Sequence, residues 1–217
     1  MDRRSAWSLG ATAATTALVA AYPLLLRRRC LHWGARPDEV DRAIPGDDLV
    51  VQPDVVSTRA ITIDASPEAI WPWLVQMGSG RGGAYTYDWV ENMFGLNMHS
   101  ADEIRPELQD LKVGDVLPIG ANGPGMAVEV LEPERVLCLR ADNVAWVWTF
   151  ALYPENGTTR LVSRNVIATP FASAGRRVFN LFVLEPGSLV MERKMLLGIK
   201  ERVERAARLA GEPAEIR

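Results

Sequence analysis

Apolar and polar positions alternate with a period of two over residues 59–63, where Ala60 and Thr62 oppose Ile61 and Ile63, and this predicts a strand. Ser66, Pro67 and Glu68 then mark a helix start: a capping residue, a proline in the first turn and an acid beside the positive helix end. That helix runs through Ile70, Trp71, Trp73, Leu74 and Met77 and stops at Gly78. Asp88 with Glu91, and Ser100 with Glu103, have capping-box spacing and predict two further short helical starts. Beyond residue 115 the period is that of strands, at 116–119, 126–131, 135–140, 145–153 and 159–169, separated by Gly, Pro or Asn. In the fourth of these, Trp146, Trp148, Phe150 and Leu152 share one face, which is bulky enough to require a long helix or a cavity above it. Residues 188–210 supply that helix: Met191, Met195, Ile199, Val203 and Ala206 recur at helical spacing, with Lys194, Glu201, Arg202, Glu204 and Arg205 on the other sides. Pro186 and Gly187 separate it from the very apolar 178–184, which reads as a shorter helix. The order predicts an α+β fold in which a curved antiparallel sheet wraps around a long C-terminal helix.

The opening of the chain has a different pattern. Residues 6–26 form a stretch of 21 residues without a charge, which at 1.5 Å rise per residue reaches roughly 30 Å, the thickness of a hydrocarbon core. Arg3 and Arg4 precede it and Arg27 to Arg29 follow it, with no small-residue cleavage site. The pattern predicts an uncleaved single-pass membrane anchor, and the more positive C-terminal flank places the following domain on the cytoplasmic side. The expected organisation is therefore an anchor at 1–32, a Gly- and Pro-containing linker at 33–57, a folded domain at 58–211 and a tail at 212–217.

Charge and chemistry narrow the function classes. The 24 Lys and Arg are interleaved with 27 Asp and Glu for a net charge of −3, which argues against nucleic-acid binding. Cys30 and Cys138 are far apart, so neither a disulfide framework nor a cysteine metal site is expected. His32 and His99 are the two histidines, and HExxH, Walker A and GxSxG motifs are absent. The glycine-rich run 78–83 follows a helix and lacks the Lys-Ser/Thr ending of a phosphate loop. No metal or cofactor is expected.

The run Ile61-Thr62-Ile63-Asp64-Ala65-Ser66-Pro67-Glu68-Ala69-Ile70-Trp71, continuing Pro72-Trp73-Leu74, closely resembles the opening of START-like proteins. This is the SRPBCC superfamily, which includes polyketide cyclases and lipid-transfer domains. Arg81-Gly82-Gly83, with Tyr87-Asp88-Trp89 and Glu91-Asn92, resembles a bacterial subgroup of it, and the likeness covers roughly residues 33–209. It implies a helix-grip fold with a cavity between the sheet and the C-terminal helix, suited to a small hydrophobic or amphipathic ligand. The superfamily is functionally diverse, so the fold does not select an activity.

On that reading the cavity contacts are Trp73, Met77, Tyr85, Tyr87, Trp89, Trp146, Trp148, Phe150, Met191 and Met195, with flexible methionines suiting an adaptable pocket. Arg81 is either pinned to a carboxylate such as Asp88 or Glu91 or anchors an acidic head group at the cavity mouth. Tyr87, Asp88 and His99 are the candidate catalytic set for a cyclase- or dehydratase-like alternative, polarising a carbonyl and abstracting a proton. Arg164, in phase with Arg160 and Val162, is expected on the outward face. A third reading is a solid-cored interaction domain that docks a partner through 178–184.

Overall fold

A computed structural model describes residues 22–120, 125–141 and 145–211. A π-helical turn, Tyr22–Leu26, runs directly into α1 (Arg27–Leu31), and a second short helix, α2 (Pro37–Asp41), follows. Then come β1 (Val55–Ile63), α3 (Pro67–Val75), α4 (Asp88–Met93), β2 (Val116–Pro118), β3 (Gly125–Glu132), β4 (Val136–Ala141), β5 (Ala145–Glu155) and β6 (Thr158–Ala168). The chain closes with α5 (Ala174–Phe179), a second π-helical stretch (Asn180–Leu184) and the 27-residue α6 (Glu185–Gly211). The strands form one antiparallel sheet in the order β1-β6-β5-β4-β3-β2. Sheet and long terminal helix together have the helix-grip architecture.

The register sorts the side chains into two faces, because residues opposite one another in an antiparallel pair point the same way. Leu139, Trp148 and Asn165 lie opposite one another in turn, as do Leu137, Phe150, Ser163 and Arg59. This inner face receives α3 and α6: Ile63, Ile70, Leu74, Phe150, Leu161, Met195, Leu196 and Ile199 form the main core. Gly198 allows α6 to come close, since a Cβ there would sit 2.4 Å from the Tyr85 carbonyl oxygen.

The outer face carries a smaller cluster, Val50, Val136, Cys138, Val147, Ala151 and Val166. It is covered by the chain between residues 33 and 50, an irregular strap held by two buried arginines of β6. Arg160 forks onto Glu39 with two 2.7 Å hydrogen bonds and also donates to Gly34 O and Thr62 Oγ1. Arg164 donates to Thr58 Oγ1, Asp47 Oδ2 and the carbonyls of Glu39, Val40 and Arg42. Five donors meeting five acceptors is what makes a buried guanidinium tolerable. Both side chains are on the outward face, where strand phase places Arg164.

The expected single-pass anchor, and the membrane-anchored location drawn from it, require correction. Residues 6–21 of that stretch lie outside the described residues, and among the described residues no helix is long and apolar enough to cross a membrane. Its described end is tied to the folded domain. Tyr22 Oη donates to Glu185 at 3.2 Å, and its ring packs 5.8 Å from that of Phe182. Arg27, read from sequence as a membrane flank, makes two 2.8 Å hydrogen bonds to Glu185.

Two local expectations also change. Asp88 begins α4, but its carboxylate accepts from Ser100 N at 2.8 Å and Ser100 Oγ at 2.6 Å instead of capping its own helix, and no helix starts at Ser100. Pro186 and Gly187 do not separate two helices. The helix runs on through them, and the π-helical turn, in which Glu185 N donates to Asn180 O, lies directly before the proline that cannot donate to the preceding turn.

Candidate functional site

Beneath the first half of α6 the inner face turns polar. Arg59 on β1 is in phase with Ile61 and Ile63, so its side chain enters the space between sheet and helix, where it is fully buried. Its Nη1 pairs with Glu192 of α6, Nη2 donates to Ser188 Oγ at 3.0 Å, and Nε donates to the carbonyl of Cys30 at 3.1 Å. One guanidinium therefore joins β1, α6 and α1.

Glu192, only 7% exposed, also accepts from Asn165 Nδ2 at 3.2 Å. Asn165 Oδ1 in turn accepts from Trp146 Nε1 at 2.8 Å. An indole N–H is a donor only, so it fixes the amide orientation and turns the NH2 group toward Glu192. Next to it, Trp148 Nε1 donates to Ser163 Oγ at 2.9 Å. The Trp146 and Trp148 rings stack 5.9 Å apart at 21°, and Phe150 lies 4.8 Å beyond Trp148. Phe150 is sealed in the core, whereas both indoles are half-buried. The result is a flat aromatic wall, open in part, backed by a buried hydrogen-bond relay.

Burial pushes the Glu192 carboxyl above the usual range, and Arg59 together with the nearby Ser163 hydroxyl opposes the shift. The pair stays ionic because neutralising Glu192 would leave a buried guanidinium without its counter-charge. Both hydrogen bonds to Glu192 land on Oε2, and among the described residues its buried Oε1 has no hydrogen-bond partner.

The residues expected to line the cavity divide into three groups. Trp146, Trp148, Phe150 and Met195 face the space between sheet and α6, with Met195 sealed in the core and Met191 on the same helix half-buried. Trp73, Met77 and Tyr85 are buried and mutually engaged: Tyr85 Oη donates to Trp73 O at 2.9 Å and accepts from Gln76 Nε2 at 3.0 Å, while its ring meets Trp73 edge-on. Burial pushes the Tyr85 phenol up to about 12. Tyr87, just before α4, and Trp89 on it are exposed, with the Lys194 ammonium 5.9 Å from the Tyr87 ring centre.

Among the described residues Arg81 has no carboxylate partner. It caps the end of α3 by donating to Val75 O, Met77 O and Leu108 O. Asp88 is engaged by Ser100, and Tyr87 and His99 are exposed. Among the described residues no hydrogen bond links Tyr87, Asp88 and His99, and no group of acids, histidines and cysteines is placed to hold a metal ion. Of 178–184, Val178, Phe179, Val183 and Leu184 are exposed. An open surface depression of about 570 Å³ is bounded by Asp64, Lys200, Glu204, Ala207 and Arg208, toward the C-terminal half of α6.

Sequence reasoning missed Arg59, Ser163, Asn165 and Glu192 as a group. A signal was present: Arg59 shares a strand face with two isoleucines, and Ser163 and Asn165 share one with Leu161. A polar residue in phase with the inward positions of a strand marks a polar interior.

No family model matches the chain, and no curated protein matches it. Solved structures with a similar course include the NE0264 protein of Nitrosomonas europaea, 13% identical at a TM-score of 0.47, covering 73% of this chain and 99% of that one. A protein from Mesorhizobium loti is 18% identical at a TM-score of 0.42, covering 70% and 98%. The Aha1 dimer from Colwellia psychrerythraea is 16% identical at 0.32, covering 62% and 92%. At these values the likeness brings no activity to this chain.

Proposed function

We propose that the chain holds one small amphipathic molecule between the inner face of the sheet and α6, at the end where Trp146 and Trp148 lie. One observation carries the reading. In a face otherwise sealed by Leu137, Phe150 and Leu161, two large indoles remain half-buried and are supported from behind by buried polar groups. A solid core has no use for that combination, since polar groups cost stability inside a protein unless each is satisfied. A binding wall does use it: apolar area holds the body of a ligand and a few placed polar groups orient it.

The test is native mass spectrometry on the full chain purified without delipidation, followed by titration with the uncharged fluorescent probe N-phenyl-1-naphthylamine. A stoichiometric small-molecule adduct, or saturable probe fluorescence displaced by extracted lipids, is the expected result. A chain that flies at its sequence mass alone and leaves the probe dark overturns the reading.

A further inference from the structure

We infer that the ligand held at this site is a neutral ring compound carrying a hydrogen-bond donor, a hydroxyl or an uncharged N–H, and that the donor is received by Glu192 Oε1. The inference rests on the ligand-holding reading and adds the chemistry of the occupant.

Three observations converge on it. Glu192 is more than nine-tenths buried, yet among the described residues both of its hydrogen bonds fall on one oxygen and the other has no partner. Buried polar atoms in native proteins almost always have a partner, and an unmatched oxygen on a carboxylate is more costly than one on a neutral group. Secondly, the groups around it set the sign of what it accepts. Arg59 and Glu192 cancel in charge, three of the five Arg59 N–H groups, one on each nitrogen, donate to Cys30 O, Glu192 and Ser188 Oγ, and the Asn165 amide is oriented by Trp146. A lone pair on Oε1 beside a neutralised guanidinium repels a carboxylate or phosphate and rewards an O–H or N–H. Thirdly, the wall joined to Glu192 through Asn165 is two near-parallel indoles, 21° apart, which favour a flat ring over a flexible chain.

The probes that separate these demands share one ring body: 2-naphthol offers a donor, 2-methoxynaphthalene lacks it, and 2-naphthoate carries an anion. Each is titrated calorimetrically into the full chain at neutral pH. Naphthol is expected to bind at least about tenfold more tightly than the ether, the usual cost of stranding a charged acceptor, with naphthoate weakest. Equal affinity for naphthol and ether, or a preference for naphthoate, overturns the donor inference while leaving the ligand-holding reading intact. Binding of none of the three overturns both.

The double variant Arg59→Met/Glu192→Met removes both charges together and is expected to bind naphthol and ether alike. Retention of the full preference in that variant overturns the assignment to Glu192. Glu192→Gln, which keeps the shape and can offer an N–H to the ether, is expected to narrow the gap and serves if the double variant fails to fold.

Discussion

Arg59 and Glu192 put opposite charges in the protein interior, and the cost of breaking such a pair is asymmetric. Removing one partner strands the other at a cost of about 3–5 kcal/mol, whereas replacing both with apolar residues of similar size is often close to neutral. Arg59→Met alone is therefore expected to lower unfolding stability in urea by about 3–5 kcal/mol, and the double methionine variant to recover most of that loss. A double variant as unstable as the single one would show that the pair is not the unit. Gly198 makes a second residue-scale case. In an exposed helix, Gly→Ala gains about 1 kcal/mol, but here the added methyl meets the Tyr85 carbonyl at 2.4 Å. Gly198→Ala is expected to lower the melting temperature instead of raising it. Neither effect was legible in the chain. Strand phase put Arg59 on the inward face with Ile61 and Ile63, but only the fold brings Glu192, 133 positions away, to meet it. The aromatic face of β5 was legible, because its four bulky residues alternate. Tyr85 was not: at φ +58° and hydrogen-bonded to Trp73 O, it closes the core where sequence reading made it a ligand contact.

The strap over the outer sheet is the element that sequence patterns least disclose. Residues 33–57 show turn-forming glycines and prolines without period, which reads as a linker. What makes 33–50 part of the fold is a set of acids and carbonyls matched to Arg160 and Arg164, more than 115 positions downstream. Burial raises the Glu39 carboxyl, but its hydrogen bonds to Arg160 and the Arg36 backbone, with the nearby positive charges, bring it below its ordinary value. A depressed folded value means that the strap's stabilisation is complete above the unfolded carboxyl value of about 4.3 and is lost as pH falls through the lower folded one. Hydrogen-exchange protection in peptides spanning 33–50, taken relative to the intrinsic rate at each pH, is thus expected to stay high near neutrality and to fall below pH about 4, before the sheet opens. Glu39→Gln should weaken protection at neutral pH and flatten that acid response. Protection that tracks the sheet at every pH in the wild-type chain would show that strap and sheet open together.

At the scale of the whole molecule, the described start of the chain is a structural member of the domain. Tyr22 and Arg27 hold Glu185 at the head of α6, Cys30 Sγ donates to Glu185 O at 3.3 Å, and the Cys30 carbonyl receives Arg59. Cys30 and Leu31 are themselves buried. The pattern of uncharged residues ending in three arginines suggested an anchor because hydropathy reports only what a segment avoids. It gave no sign that a carboxylate 158 positions away would engage the first of those arginines. Deleting the segment tests the difference. A chain beginning at residue 34 loses the Glu185 contacts and leaves Arg59 Nε buried without its acceptor, a loss of about 1–3 kcal/mol for the stranded donor alone. With about 2–4 °C of melting temperature per kcal/mol for a chain of this size, the shortened protein should melt roughly 2–12 °C lower. Arg27→Met/Glu185→Met, which removes both charges of that pair together and leaves Cys30 in place, should cost much less than the truncation. An unchanged melting temperature on truncation would mean that α1 merely rests on the domain. A fall confined to the truncated chain would identify the Cys30–Arg59 contact, at the polar end of the proposed site, as the joint through which the start of the chain supports the grip of α6 on the sheet.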